Sequence, residues 1–202
     1  MSTPSTSKST TPEIYGKNSK PLGVTPSVAL INPKFPHNVG AALRAASCYG
    51  AKQVWFTGDR VGLGLKGAKR LPREERMKGY RSVELRHYDR IFDQFGGDVT
   101  PVAVELRPNA ESLPQFEHPE NALYLFGPED GSIPQMYLQH CHRFVVIPTR
   151  HCVNLAAAVY TVLYDRQCKL QPNLTIQECL AEQRFDFPEN TELAVELGLL
   201  ST

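Results

Sequence analysis

The amino-acid sequence predicts an α/β fold, a mainly parallel sheet with helices on both faces. Three observations carry the expectation. Five short runs are apolar without alternation, as expected of strands buried on both faces. Helical patterns separate those runs, which implies parallel strands covered on both sides. The length, 202 residues, is enough for one such domain with a substantial core and short for two.

The elements follow in order. Residues 1–26 are dominated by Ser, Thr and Pro and read as a disordered tail, because so few large apolar side chains cannot offset the entropy of ordering. Val28 to Ile31 reads as a buried strand and Asn38 to Tyr49 as a helix that Gly50 stops. Val54 to Phe56 is the second strand. Tyr88 to Phe95 suggests a short helix ended by Gly96-Gly97. Val102 to Val104, Leu123 to Phe126 and Phe144 to Ile147 are the third, fourth and fifth strands. Asn154 is placed to cap a last helix, Leu155 to Gln167, rich in Ala and Leu. The main domain is thus expected over 27–170, with 171–202 as a helical extension in which 176–182 and 192–199 read as short helices.

Hydrophobic residues make up 41% and charged residues 21% of the chain, ordinary for a soluble globular protein. The net charge of +1 leaves no global field to attract a polyanion, so nucleic-acid binding would have to come from local clustering. No apolar run approaches the roughly 20 residues of a spanning helix, and no secretory signal pattern opens the chain, so no membrane association is expected. The five cysteines form no CxxC pair, which fits a reducing cytoplasm better than a disulfide framework. His140-Cys141-His142 lacks a second ligand pair at suitable spacing, and no metal site is expected.

Three segments carry chemistry. Asn32-Pro33-Lys34-Phe35-Pro36-His37-Asn38-Val39-Gly40 follows the first strand and therefore lies at a carboxyl end of the sheet, where open α/β folds place ligands. Asn38 is positioned to cap the helix, and Arg44 falls on nearly the same helix face as Val39 and Gly40. Taken alone, this segment reads first as a loop, a cap and a surface arginine on an Ala-rich core helix. Phe126-Gly127-Pro128-Glu129-Asp130-Gly131-Ser132-Ile133-Pro134 ends the fourth strand. Glycine permits close approach of backbone to a ligand, and acids accept from hydroxyl or amino groups; a tight turn explains the Gly and Pro, though not so elaborate a turn after a buried strand. The third segment runs from Val145 through Pro148, Arg150, Cys152 and Asn154 into the Ala-rich helix, and reads otherwise as a cap with ordinary packing.

In this order and spacing the segments resemble the SPOUT methyltransferases of the SpoU/TrmH-like branch. The carriers are Asn38-Val39-Gly40 with Arg44, then Phe126-Gly127 with Glu129 and Gly131, then Ile147-Pro148 with Val153-Asn154, and the resemblance spans about Val28 to Gln167. It implies a homodimer, a five- or six-stranded parallel sheet and a C-terminal deep trefoil knot, a feature periodicity alone cannot show. It also implies S-adenosylmethionine held bent by Leu125, Phe126, Gly127, Glu129, Gly131, Ile147, Pro148, Cys152, Val153 and Leu155. Arg44, Asn38 and Asn154 would then serve catalysis, with transfer to an RNA ribose 2′-hydroxyl. A guanidinium stays protonated, so Arg44 suits a phosphate clamp and a stabiliser of alkoxide charge better than a base. The sequence departs from the family in having Cys152 where Ser is usual and a shorter third loop, Thr149-Arg150-His151.

Between Arg60 and Arg81 stand eight basic residues against Glu74 and Glu75, a net +6. This segment follows the second strand and should share the rim of the chemical loops. Lys66, Lys69, Arg70, Arg73, Arg76 and Lys78, with Arg150, are the expected phosphate contacts, a solvated loop being the plainer reading. No separate RNA-binding module is visible, and the small size leans to tRNA over rRNA. Competing readings are a base-methylating relative, a catalytically silent RNA-binding dimer, and a Rossmann-type nucleotide enzyme, the last lacking a GxGxxG after the first strand.

Overall fold

The computed structural model describes residues 13–15, 26–61 and 83–175. Its strands are β1 (Glu13–Tyr15), β2 (Ser27–Leu30), β3 (Gln53–Phe56), β4 (Glu84–His87), β5 (Thr100–Val104), β6 (Glu111–Ser112), β7 (Ala122–Phe126) and β8 (Arg143–Val146). The α-helices are α1 (Pro36–Cys48), α2 (Gln135–Leu138) and α3 (Leu155–Leu170). The strands form one sheet in the order β1-β4-β3-β2-β7-β5-β8-β6. All neighbours are parallel except β1, which runs antiparallel to β4.

The sheet is larger than the five or six strands expected. Strands β1 and β6 are too short to show a pattern, and β4, Glu84-Leu85-Arg86-His87, is charged. It still covers the sheet: Arg86 pairs with Glu84 at 2.6 Å and lays its guanidinium 5.1 Å from the Trp55 ring centre. The segment read as a disordered tail carries β1, paired Glu13 to His87 and Tyr15 to Leu85.

Alternation along the strands sends side chains to two covered faces. Val28, Leu30, Val54, Phe56, Tyr124 and Phe126 pack with Val39, Leu43 and Ala46 of α1 and Val159 and Leu163 of α3. On the opposite face Ala29, Ile31, Trp55, Ala103 and Leu125 pack against Ile91, Ile133, Tyr137 and Cys141. Burial pushes the Cys141 thiol up to about 12, and its Sγ–H donates to the Tyr137 carbonyl. His140 stacks near Phe92 with ring centres 4.4 Å apart, so the His-Cys-His run has packing work to do.

Helix α1 begins earlier than expected. Phe35 is the extended residue at the capping position and makes no side-chain cap; Pro36 opens the helix, where its missing N–H costs nothing. Asn38 is therefore not the cap, and its side chain is turned to another use. Gly50, at φ +73°, ends the helix where a left-handed residue is needed. The helix expected over Tyr88–Phe95 is a single 3-10 turn, Ile91–Gln94.

Behind the sheet, His118 is buried. Its Nδ1 lies 2.6 Å from the Tyr124 hydroxyl and its Nε2 2.7 Å from Asp165 Oδ2. Lys169 also reaches Asp165 at 2.7 Å and donates to the carbonyls of Leu113 and Phe116. Arg166 donates to the Glu120 carbonyl at 2.9 Å. The irregular 113–120 stretch is thus bound to α3 by polar contacts that helical periodicity does not reveal. Residues 1–169 form one compact unit and 170–202 a second. Of the second only 170–175 is described, so the helices expected at 176–182 and 192–199 lie outside the described residues.

Candidate active site

At the carboxyl ends of the central strands three loops meet: 31–35 after β2, 127–134 after β7 and 147–154 after β8. A parallel sheet brings all such ends to one rim, and β2 and β7 are adjacent although their chain positions differ by about ninety residues.

Glu129 ties the first two loops. Its Oε2 accepts the Lys34 N–H at 2.7 Å, and its Oε1 accepts the Phe35 N–H at 3.3 Å and Asn38 Nδ2 at 2.5 Å. Burial alone would raise the pKa of this carboxyl. The donors from Asn38 and from the backbone outweigh burial and hold it below its ordinary value. Asn38, 2% exposed, extends the chain: its Oδ1 accepts Asn154 Nδ2 at 3.1 Å. Asn154 Oδ1 in turn accepts the N–H groups of Ala156 and Ala157 at 2.9 and 3.2 Å, capping α3 as its sequence position suggested. One line of hydrogen bonds therefore runs Glu129–Asn38–Asn154–α3, joining all three chemical segments. Each amide has its oxygen and nitrogen assigned by this network.

Beside this line opens a cavity of about 370 Å³. Of the residues expected at a cofactor, Phe126, Gly127, Glu129, Gly131, Ile147, Cys152, Val153 and Leu155 line it. Leu125 and Pro148 do not: Leu125 points into the core on the other face, and Pro148 sits between lining neighbours. Gly127 lets the turn pack closely, because a Cβ there would lie 3.2 Å from the Ile133 nitrogen and 3.3 Å from its Cγ1, and Ile133 would have to give way. The third loop is folded by Thr149, whose hydroxyl donates to the His151 carbonyl at 2.8 Å.

Sequence reasoning missed Val104, Glu105 and Leu106, which line the same cavity. Glu105 Oε2 accepts the Ile133 N–H at 2.9 Å and so braces the turn after β7. The signal was available, since these residues close the third expected strand at the rim where the other loops end. Arg150, expected at RNA, is a lining residue too.

Arg44 is half-buried on the more exposed side of α1, the stripe His37, Ala41, Arg44, Cys48. It is not among the cavity's lining residues. The basic residues Lys66, Lys69, Arg70, Arg73, Arg76 and Lys78 lie outside the described residues. Arg60, where that segment begins, grips Asp130 with Nη1 and Nη2 at 3.0 and 2.8 Å.

An open parallel sheet whose carboxyl-end loops line a cavity of this size has the architecture in which α/β proteins place small-ligand sites. The particular family follows from comparison. The model of the SpoU rRNA Methylase family matches residues 26–164, and the chain belongs to that family. A tRNA (cytidine-2′-O-)-methyltransferase TrmJ of Methanocaldococcus jannaschii is 24% identical over 159 residues, 69% of this chain and 66% of the relative. The crystal structure of the SpoU methyltransferase AviRb from Streptomyces viridochromogenes, in complex with the cofactor AdoMet, superposes with a TM-score of 0.63 at 18% identity, covering 74% of this chain and 62% of that one. That of the A. aeolicus TrmH/SpoU tRNA modifying enzyme gives 0.59 at 17% identity, covering 77% and 83%. The chain thus spans slightly under two thirds of the length of the curated relative and of AviRb.

Proposed function

We propose that this protein is an S-adenosylmethionine-dependent RNA methyltransferase that modifies a ribose 2′-hydroxyl, in tRNA, as a cytoplasmic homodimer. The observation that carries the reading is the hydrogen-bonded line from Glu129 through Asn38 to Asn154, which draws three distant segments around one cavity. Family membership supports the chemistry, and the tRNA methyltransferase relative supports the ribose and the substrate class.

The cavity suits an adenosyl group. About 370 Å³ lies within the range of small-ligand pockets, roughly 300–1,000 Å³. Val104, Leu106, Ile147, Val153 and Leu155 offer apolar walls for a purine, while Gly127 and Gly131 expose backbone for hydrogen bonds. Glu105 and Glu129 supply the acceptors that hydroxyl and ammonium groups require. Phe126, Gly127, Glu129, Gly131, Ile147, Cys152, Val153 and Leu155 would hold the cofactor, with Leu125 and Pro148 setting the strands behind them. Bound there, S-adenosylmethionine supplies an already activated methyl group, so the protein's task is positioning.

The residues divide that task. Asn38 and Asn154 fix the loops relative to α1 and α3. Arg44 remains a cation and holds the phosphate next to the acceptor ribose, stabilising negative charge as it develops on the 2′-oxygen. The basic segment from Lys66 to Lys78, with Arg150, draws in the RNA backbone. The domain comprises residues 27–170 together with β1, which adds an edge strand to its sheet, and 171–202 form an extension. Its path from β5 through β8 into α3 is tied in a trefoil knot, in keeping with the strand order β7-β5-β8-β6, in which β7 and β8 flank the earlier β5.

The test is incubation of the full chain with radiolabelled S-adenosylmethionine and unmodified total RNA, followed by nucleoside mass spectrometry. A 2′-O-methylated nucleoside is expected. Arg44→Ala should abolish transfer with cofactor affinity by calorimetry nearly unchanged; normal turnover of Arg44→Ala would refute its role.

A further inference from the structure

The rim between β2, β3 and β7 carries a charge cluster that the transfer chemistry leaves unused. Asp130 stands in the turn after β7. Arg60 holds both its oxygens, and Lys34 Nζ lies 3.2 Å from Oδ2, the oxygen that Arg60 Nη2 already contacts at 2.8 Å. Two cations from two different loops therefore converge on one oxygen atom.

Arg60 is better anchored than the anion it holds, while the Lys34 side chain, 45% exposed, is as open to solvent as that of Asp130. Arg60 Nη1 also donates to the Asn32 carbonyl at 3.3 Å. Asn32 is itself pinned, at φ +48°, with its N–H on the Thr57 hydroxyl and its side chain against Gly58, where a Cβ would collide with it. The Lys34 backbone is held by Glu129. The Arg60 side chain is 26% exposed and the Asp130 side chain 47%. The charge of Glu129 also acts on Arg60, but three donors hold its carboxylate in place, so it does not move into the position of Asp130. With Asp130 turned away, the point keeps two cations. A phosphodiester oxygen presents the same charge as a carboxylate oxygen to a guanidinium fork, at similar spacing. Exposed ion pairs exchange readily.

We propose that Lys34 and Arg60 form a binding site for one RNA phosphodiester beside the cavity, and that Asp130 occupies it in the free protein as a stand-in that incoming RNA displaces. The site rests on the reading of this protein as an RNA methyltransferase. It lies where the basic stretch beginning at Arg60 meets the turn whose Glu129 and Gly131 line the cavity. Displacement of Asp130 thus reports RNA arrival to that turn.

The test is fluorescence anisotropy of the full chain with a fluorescein-labelled, mixed-sequence RNA 20-mer across a salt series. In the wild type the two cations exchange Asp130 for phosphate; in Asp130→Asn they exchange salt counterions instead. Asp130→Asn is therefore expected to bind about threefold tighter, with a log–log salt slope steeper by roughly 0.7. Lys34→Gln/Arg60→Gln should weaken binding, and adding Asp130→Asn to that pair should change nothing further. Asp130→Ser, with a melting curve for each variant, guards against a folding artefact. Unchanged or weaker RNA binding by Asp130→Asn, an effect that persists without Lys34 and Arg60, or RNA displaced by inorganic phosphate at equal phosphate concentration would overturn the site. Tighter S-adenosylmethionine binding by calorimetry, in place of tighter RNA binding, would overturn it too. Methyl transfer is scored separately: its absence from every RNA would refute the enzymatic reading and leave the anisotropy result to stand or fall alone.

Discussion

Replacing Glu129 with Gln removes the charge at the junction of the three loops while conserving shape. The carboxylate accepts from Lys34 N–H on one oxygen and from Phe35 N–H and Asn38 Nδ2 on the other. A glutamine has one acceptor oxygen, so whichever way it turns, its amide NH₂ faces at least one donor. A net hydrogen bond is worth about 0.5–1.5 kcal/mol, more when charged and less in solvent. The two backbone bonds are exposed and the Asn38 bond is half-buried, so a loss of about 1–2 kcal/mol is expected. For a domain of this size each kcal/mol lowers Tm by roughly 2–4 °C, giving a drop of about 2–8 °C in a circular-dichroism melt at neutral pH. Cofactor affinity by calorimetry should fall in parallel, because Glu129 lines the cavity. The pH dependence adds a signature. The folded pKa lies below the ordinary 4.5, so the contribution is fully present above that value and is lost as pH falls through the folded pKa. The gap between wild type and Glu129→Gln should close in acid. Equal melting at pH 7, or a gap that widens in acid, would refute the reasoning.

Three further outcomes are expected. Asn154→Asp keeps the cap on α3 but sets an oxygen against Asn38 Oδ1, so it should weaken cofactor binding while Asn154→Ala also loses the cap, about 0.5–2 kcal/mol of stability; equal cofactor affinity in wild type and Asn154→Asp would break the proposed line. Gly127→Ala forces a shift of Ile133, whose N–H is held by Glu105, and should cost roughly tenfold in cofactor affinity, with an unchanged Kd placing the ligand elsewhere. His118→Phe removes one of the partners of the buried Tyr124 hydroxyl and leaves it Arg166, for a loss of about 0.5–1.5 kcal/mol in denaturant unfolding. Burial lowers the His118 pKa below 6.5 against the opposing pull of Asp165, with Lys169 and Arg166 lowering it further. Wild-type stability should therefore decline as pH falls below 6.5 and through the folded value, a slope His118→Phe should lack.

Much of this protein is legible in its sequence. The apolar runs of β2, β3 and β7 are buried on both faces and those of β5 and β8 partly so, and such runs announce themselves without reference to partners. Asn154 as a cap and Gly50 as a stop are local chemistry, visible within a few residues. The glycines and acids of the turn after β7 stood out for the same reason, and that turn lines the cavity. Tertiary structure decided what depends on neighbours. Strand β4 is charged, and it is a strand through its ladder with β3, where Arg86 pairs with Glu84 and covers the Trp55 ring. Asn38 looked like a cap, yet Pro36 had already opened the helix, and its amide was left to bridge Glu129 and Asn154, partners 91 and 116 residues away. Glu105 gained its place from the adjacency of β5 to β7 and β8, an ordering absent from chain order. Local propensity is written residue by residue, whereas a site at the ends of parallel strands is made by which strands the sheet sets side by side.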